Sequence, residues 1–154
     1  MRNFLTEQDI KKMQEEIEFR KVVERKRLIE DVKEARAHGD LSENFEYKAA
    51  KRERGKNESR IRYLERMIKT AKIISSESNE GEVGLGKSVT VKFLDDDFEE
   101  TYKIVTTIET DVVQNKISIE SPLGKQIFKR KVGDQVKVES PNGDYTVEIL
   151  SIEE

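Results

Sequence analysis

The sequence predicts an α+β chain in two parts: an antiparallel helical hairpin over residues 1–76, then a small, mostly antiparallel β domain with one short helix over 87–154. Three observations carry that prediction. Residues 1–76 contain no proline and have glycine only at Gly39 and Gly55, so nothing but the glycines interrupts a helical pattern. Past residue 87 the apolar period switches from helical to alternating. The charge switches too: residues 1–76 hold 20 Lys and Arg against 15 Asp and Glu, a net +5, and the remaining 9 against 17 give residues 77–154 a net −8.

In the first part, Ile10, Met13 and Ile17, then Leu28, Val32 and Ala35, recur at helical spacing. Ala50, Ile61, Leu64, Ile68 and Ala71 follow a heptad seam whose intervening positions are Arg54 and Asn57. Two helices are expected, over about 8–37 and 44–75, with a break at His38-Gly39-Asp40; helices joined so closely fold back antiparallel. Arg20 and Glu24 fall where the first helix should be apolar, which predicts loose pairing there. A helix of about 28 residues is about 42 Å long. The hairpin therefore holds the short segment 38–46 far from everything else.

Residues 75–86, SSESNEGEVGLG, read as a boundary, with the linker at 77–86. Beyond it Val89, Val91 and Phe93; Tyr102 and Ile104; Ile117 and Ile119; Val136 and Val138; and Tyr145, Val147 and Ile149 alternate as strands. Turns are expected at Asp95–Asp97, Gly133-Asp134 and Pro141–Asp144, with Asn142-Gly143 as a hairpin signal. Leu123–Lys131 reads as the short helix.

Composition narrows the chemistry. With 34% hydrophobic and 40% charged residues, one large compact core is excluded, and a long exposed helical element fits. The absence of cysteine excludes disulfides, thiolate metal sites and cysteine nucleophiles. A single histidine, His38, excludes any site needing two imidazoles. No apolar run could span a membrane, and a soluble, cytoplasmic monomer is expected.

The segment Ala37-His38-Gly39-Asp40-Leu41-Ser42-Glu43-Asn44-Phe45-Glu46-Tyr47 carries carboxylates at i, i+3 and i+6. Asp40 and Glu43 at the start of a helix can hold a hard divalent cation such as Mg²⁺. They can equally form a capping box, with Asp40 as the N-cap and Glu43 at N3, in keeping with the helix dipole. Arg36, Lys48, Lys51, Arg52, Arg54 and Lys56 crowd the same end, either as a solvated face or as a contact for nucleic acid.

The run from Glu34 to Asn44, with Gly39-Asp40-Leu41-Ser42-Glu43-Asn44 at its heart, followed by Glu46-Tyr47 and Ala49-Ala50, resembles the tip signature of the GreA and GreB family of bacterial transcript-cleavage factors. Ser121-Pro122-Leu123-Gly124-Lys125 and Lys131-Val132-Gly133-Asp134 resemble its C-terminal domain, which has an FKBP-like fold. The resemblance covers nearly the whole chain and is closer to GreA than to GreB. It implies docking on bacterial RNA polymerase at the rim of the secondary channel, with Ser121, Pro122 and Leu123 as docking residues. It implies that the coiled coil runs down the channel, so that Asp40 and Glu43 reach the polymerase active site and help hold a Mg²⁺ shared with the polymerase. The basic patch Arg36, Lys48, Lys51, Arg52 and Arg54 then lies near the 3′ segment of backtracked RNA, with Ser42, Asn44, Phe45 and Tyr47 supporting the tip. Phe45 stands where many relatives carry a small residue, and Lys129 where glycine is frequent.

On that reading the chain is no enzyme itself. It stimulates cleavage by the polymerase and needs no cofactor when free. The alternatives are a channel binder that regulates polymerase without cleavage, and a coiled-coil adaptor unrelated to polymerase. Prolyl isomerase activity is not expected, since Phe93, Phe98, Tyr102, Phe128 and Tyr145 should all be taken up by a small core.

Overall fold

A computed structural model of the chain describes residues 3–39 and 44–154. The chain divides into two compact units, residues 8–71 and residues 3–7 with 72–154.

The first unit is the hairpin. Helix α1 (Glu7–Phe19) runs through a π-helical segment, Arg20–Glu24, into α2 (Arg25–Arg36). Phe19 and Arg25, flanking that segment, keep helical dihedrals, so the three form one continuous helix. Helix α3 (Phe45–Lys69) returns along it. Met13, Leu28, Val32, Ala35, Ile61 and Leu64 are buried as predicted; Met67 is buried where Ile68 was expected, and Ile10, Ile17, Ala50 and Ile68 are only partly buried. Arg27 pairs with Glu24 and Asp31, and Lys56 with Glu53, along the exposed helix surface.

The stretch expected to pair loosely is instead closely bonded. Asn57 is buried, and its Oδ1 accepts from the Arg20 guanidinium at 2.9 Å while its Nδ2 donates to the Arg20 carbonyl at 3.2 Å. That carbonyl also accepts the Arg25 amide, the i to i+5 bond of the π segment. Glu16 takes Arg20 at 2.7 Å and a forked pair from Arg60 at 2.8 and 3.2 Å. Arg25 forks onto Glu58 at 2.9 Å through both nitrogens. A mid-seam polar residue with its partners satisfied fixes register at some cost in stability. Of the two polar positions that intervene in the seam, Asn57 lies inside and Arg54 is exposed.

Helix α3 stops at Lys69, short of the expected 75. Ala71–Ile73 forms strand β2 and pairs with β1 (Asn3–Leu5), and the Ile74 amide donates to the Leu5 carbonyl at 2.9 Å. Pairing with a distant strand overrides local helix propensity here.

The second unit is a five-stranded sheet of β3 (Ser88–Phe93), β4 (Phe98–Val105), β5 (Lys116–Ser118), β6 (Gln135–Val138) and β7 (Tyr145–Glu153) in the order β5-β4-β3-β7-β6. Only the β4–β5 pair is parallel. Each predicted alternating run becomes a strand, and its inward residues, with Val83 and with Leu123 and Ile127 of helix α4 (Pro122–Ile127), form one apolar core. The turn containing Asn142-Gly143 joins β6 to β7, with Gly143 at φ +120°. Helix α4 ends at Ile127, earlier than the expected 131, because Phe128 turns extended and Lys129 takes φ +68°. The aromatics are not all taken up by the core. Phe93, Tyr102, Phe128 and Tyr145 are partly buried against it, and Phe98 is half exposed, 5.9 Å from the Phe93 ring.

The segment 77–86, expected to be a linker, belongs to the sheet unit. Val83 is fully buried; its amide donates to the Arg130 carbonyl at 2.8 Å and its carbonyl accepts from Lys129 at 2.9 Å. The buried Lys87 ammonium donates to the Asn79 and Glu82 carbonyls at 3.0 Å and lies 3.4 Å from the Glu154 carboxylate. A buried charge so partnered holds the segment down.

Candidate functional site at the hairpin bend

Helix α2 closes with the Ala37 amide donating to the Lys33 and Glu34 carbonyls and the His38 amide to the Ala35 carbonyl, all at 3.2 Å. Gly39 follows at φ +129°, which favours glycine. Across the bend, Asn44 caps α3: its Oδ1 accepts from the Tyr47 amide at 3.0 Å. Its Nδ2 donates to the Ala35 carbonyl at 2.7 Å, so one side chain caps the second helix and ties it to the end of the first. The capping box expected of Asp40 and Glu43 is thus corrected. The N-cap of α3 is Asn44, and N3 is Tyr47. Asp40, Ser42 and Glu43 themselves lie outside the described residues.

Tyr47 joins two cations. The Arg36 guanidinium donates to its hydroxyl at 3.4 Å and sits 5.6 Å from the ring centroid, while the Lys51 ammonium lies 5.2 Å from the centroid. The hydrogen bond from Arg36, aided by Lys51, holds the phenol pKa below its ordinary value. The next aromatic, Phe45, is 79% exposed, with the Lys48 ammonium 5.6 Å from its ring centroid. Arg52 and Arg54 are exposed on the same helix. His38 Nδ1 lies 3.1 Å from a Glu46 carboxylate oxygen, and the two share a shallow pocket of about 240 Å³ with Asp31, Glu34, Ala35 and Ala50. Among the described residues no group of three His, Asp or Glu side chains could hold a metal ion.

The predicted docking residues lie in the other unit. Ser121 caps α4, accepting from the Gly124 amide at 3.0 Å and donating to the Ser118 carbonyl at 2.6 Å. A Cβ at Gly124 would collide with that same carbonyl. Pro122 at N1 is exposed, whereas Leu123 is buried in the core. Of the three, Pro122 alone is well exposed.

Sequence reasoning missed the double bond of Asn44, the Tyr47 clamp and the Arg20–Asn57 layer. Only the last left a trace, as asparagine on a heptad seam.

Two family models cover almost the whole chain: "Transcription elongation factor, N-terminal" over residues 3–73 and "Transcription elongation factor, GreA/GreB, C-term" over residues 77–154. The chain belongs to the GreA/GreB family. Among its GreA/GreB relatives, transcription elongation factor GreA of Geobacillus kaustophilus is 46% identical over 96% of this chain and 94% of the relative. The GreA of Thermoanaerobacter pseudethanolicus is 46% identical over 96% of this chain and 95% of its own length. A solved structure of the transcription factor Gfh1 shares 25% identity over 99% of this chain and 97% of that chain, at a TM-score of 0.49. Among the described residues no helix is long and apolar enough to cross a membrane.

Proposed function

We propose that this GreA/GreB-family chain is a transcription elongation factor that binds bacterial RNA polymerase through its secondary channel and stimulates the polymerase's own cleavage of backtracked RNA. The observation that carries this reading is the bend. Helix α3 alone puts about 37 Å of helix between Lys69 and Phe45. The acidic Asp40-Leu41-Ser42-Glu43 joins the two helices at that bend. Asn44 supplies the cap of α3. Cations flank the bend on α2 and α3. A rod with carboxylates at one end and a cationic shaft suits delivery of oxygen ligands to a site that also holds a polyanion.

In the complex, Asp40 and Glu43 would hold a Mg²⁺ ion shared with the polymerase, as hard oxygen donors. Such an ion activates a water and stabilises the leaving oxygen of a phosphodiester. Arg36 and Lys51, held on the Tyr47 ring, and exposed Arg52 and Arg54 draw the displaced 3′ segment by its phosphates. Asn44 fixes the distance between the helix ends that flank the acidic pair. The sheet unit docks at the channel rim, with Pro122 at the contact. The factor itself has no nuclease activity.

The test uses a backtracked elongation complex with labelled RNA and Mg²⁺. The unaltered chain should shorten the RNA. The double variant Asp40→Asn/Glu43→Gln should compete for the channel as well but leave cleavage at the rate of polymerase alone. Normal cleavage by that variant removes the role of the two carboxylates. Binding with slowed elongation and no RNA shortening by the unaltered chain would make it a regulator without cleavage.

A further inference from the structure

We infer that Phe45 is a stacking platform for an unpaired base of the RNA 3′ segment, and so a positioning residue for cleavage. The inference rests on the proposed function and adds a specific contact to it. Phe45 is the most exposed aromatic among the described residues: Phe19 and Phe98 are each 51% exposed against its 79%, and every other Phe and Tyr is at least partly buried. An aromatic ring left in water contributes little to folding. Among the described residues its same-face neighbours on the helix are Lys48 and the small Ala49, which do not make a large apolar patch. An apolar protein partner would need such a patch.

The ring is nevertheless held on a fixed base. Phe45 is the first residue of α3, directly after the cap whose two bonds, to the Tyr47 amide and the Ala35 carbonyl, fix the start of the helix. Ordering it on a ligand costs little backbone entropy. One cation lies at the ring and two more on the next aromatic: Lys48 sits 5.6 Å from the Phe45 centroid, and Arg36 and Lys51 are gathered on Tyr47. An exposed aromatic face beside cations that follow a phosphate chain is how proteins bind single-stranded nucleic acid without reading its sequence. Phe45 also lies two residues after Glu43.

The experiment compares the unaltered chain with Phe45→Ala and Phe45→Trp on complexes backtracked by two nucleotides. The 3′-terminal nucleotide carries its base in one set and is abasic in the other. Cleavage rate is followed against factor concentration. Phe45→Ala is expected to lower the maximal rate about tenfold on the base-bearing RNA, from the usual strength of base stacking. The half-saturating concentration should stay within about twofold, because docking lies in the sheet unit. On abasic RNA the two should cleave alike, and Phe45→Trp should restore the rate. Equal cleavage by Phe45→Ala on both substrates overturns the inference. So does a loss that persists on abasic RNA, or one confined to the half-saturating concentration, which would assign Phe45 to a polymerase contact. Absence of cleavage by the unaltered chain would instead defeat the parent reading. Matching thermal unfolding of the variants excludes a folding defect.

Discussion

The sheet unit buries more apolar residues than the hairpin, and the two hold together by different means. In the sheet unit eleven apolar side chains form one core, and Lys87 is the buried charge, tied by carbonyls on a neighbouring segment. In the hairpin the apolar seam is interrupted by Arg20, Asn57, Glu16 and Arg60, and much of its cross-helix specificity is polar. A sheet can stack residues from several strands around one centre. Two helices share only a line, and a line needs markers along it if the register is to be unique. The hairpin accepts weaker burial in return for a defined position of its bend.

Removing the hairpin's central marker should have the largest effect on this contrast. Asn57→Ala leaves the Arg20 guanidinium and carbonyl each short of a partner and should cost about 2 kcal/mol, with methyl resonances of Ile61 shifting and those of Ile149 unmoved. Equal destabilisation of both units would erase the distinction.

The pH response should separate the units by smaller amounts and in opposite directions. The Arg60 hydrogen bond holds the Glu16 carboxyl below its ordinary pKa, and Arg25 does the same for Glu58. Their stabilisation is present above about pH 4.3, the ordinary Glu value, and is lost as pH falls through the lowered folded values. Partial exposure limits the Glu16 pair to at most about 1 kcal/mol. In the sheet unit burial raises the Tyr102 and Tyr145 phenols. Their contribution is present below about pH 10 and is lost as pH rises through the raised folded values. Thermal melts followed by the same two sets of methyl resonances should show the hairpin weakening first in acid and the sheet unit first in alkali.

The smallest effect is expected at Lys129, which occupies φ +68° where glycine would fit freely. Lys129→Gly should stabilise the sheet unit by about 0.5 kcal/mol, the left-handed penalty less the entropy glycine loses on folding. Chemical denaturation should show it as a small rise in midpoint.

The parts legible in the sequence were those set by period. Alternation placed all five strands of the sheet, and helical spacing placed most of the buried apolar residues of the hairpin, Met67 excepted. The illegible parts depend on partners far away in the chain. Asp40, Ser42 and Asn44 all have side chains able to cap a helix, and only the structure shows Asn44 capping α3 while reaching back to the Ala35 carbonyl. Ala71–Ile73 has nothing to distinguish it from the last turn of α3 except a strand at the other end of the sequence. Lys87 reads as an ordinary surface lysine because its acceptors are backbone carbonyls, which carry no residue code. At the bend, the acidic signature was plain, but the placing of Phe45 in water and of Tyr47 between two cations required coordinates.

The π segment at Arg20–Glu24 gives the long helix an unusual tolerance. A π turn takes up one residue beyond the α-helical count while the flanking helices keep their phase. Elsewhere in α1, α2 or α3 the loss of a single residue would rotate everything beyond it by about 100° and turn the seam outward. Between Arg20 and Glu24, where Val22 and Val23 face solvent, the same loss would restore an ordinary α-helix and leave both flanks facing α3 as before. The shaft thus has one spare link, at a place where it could lose a residue without turning the helix beyond it.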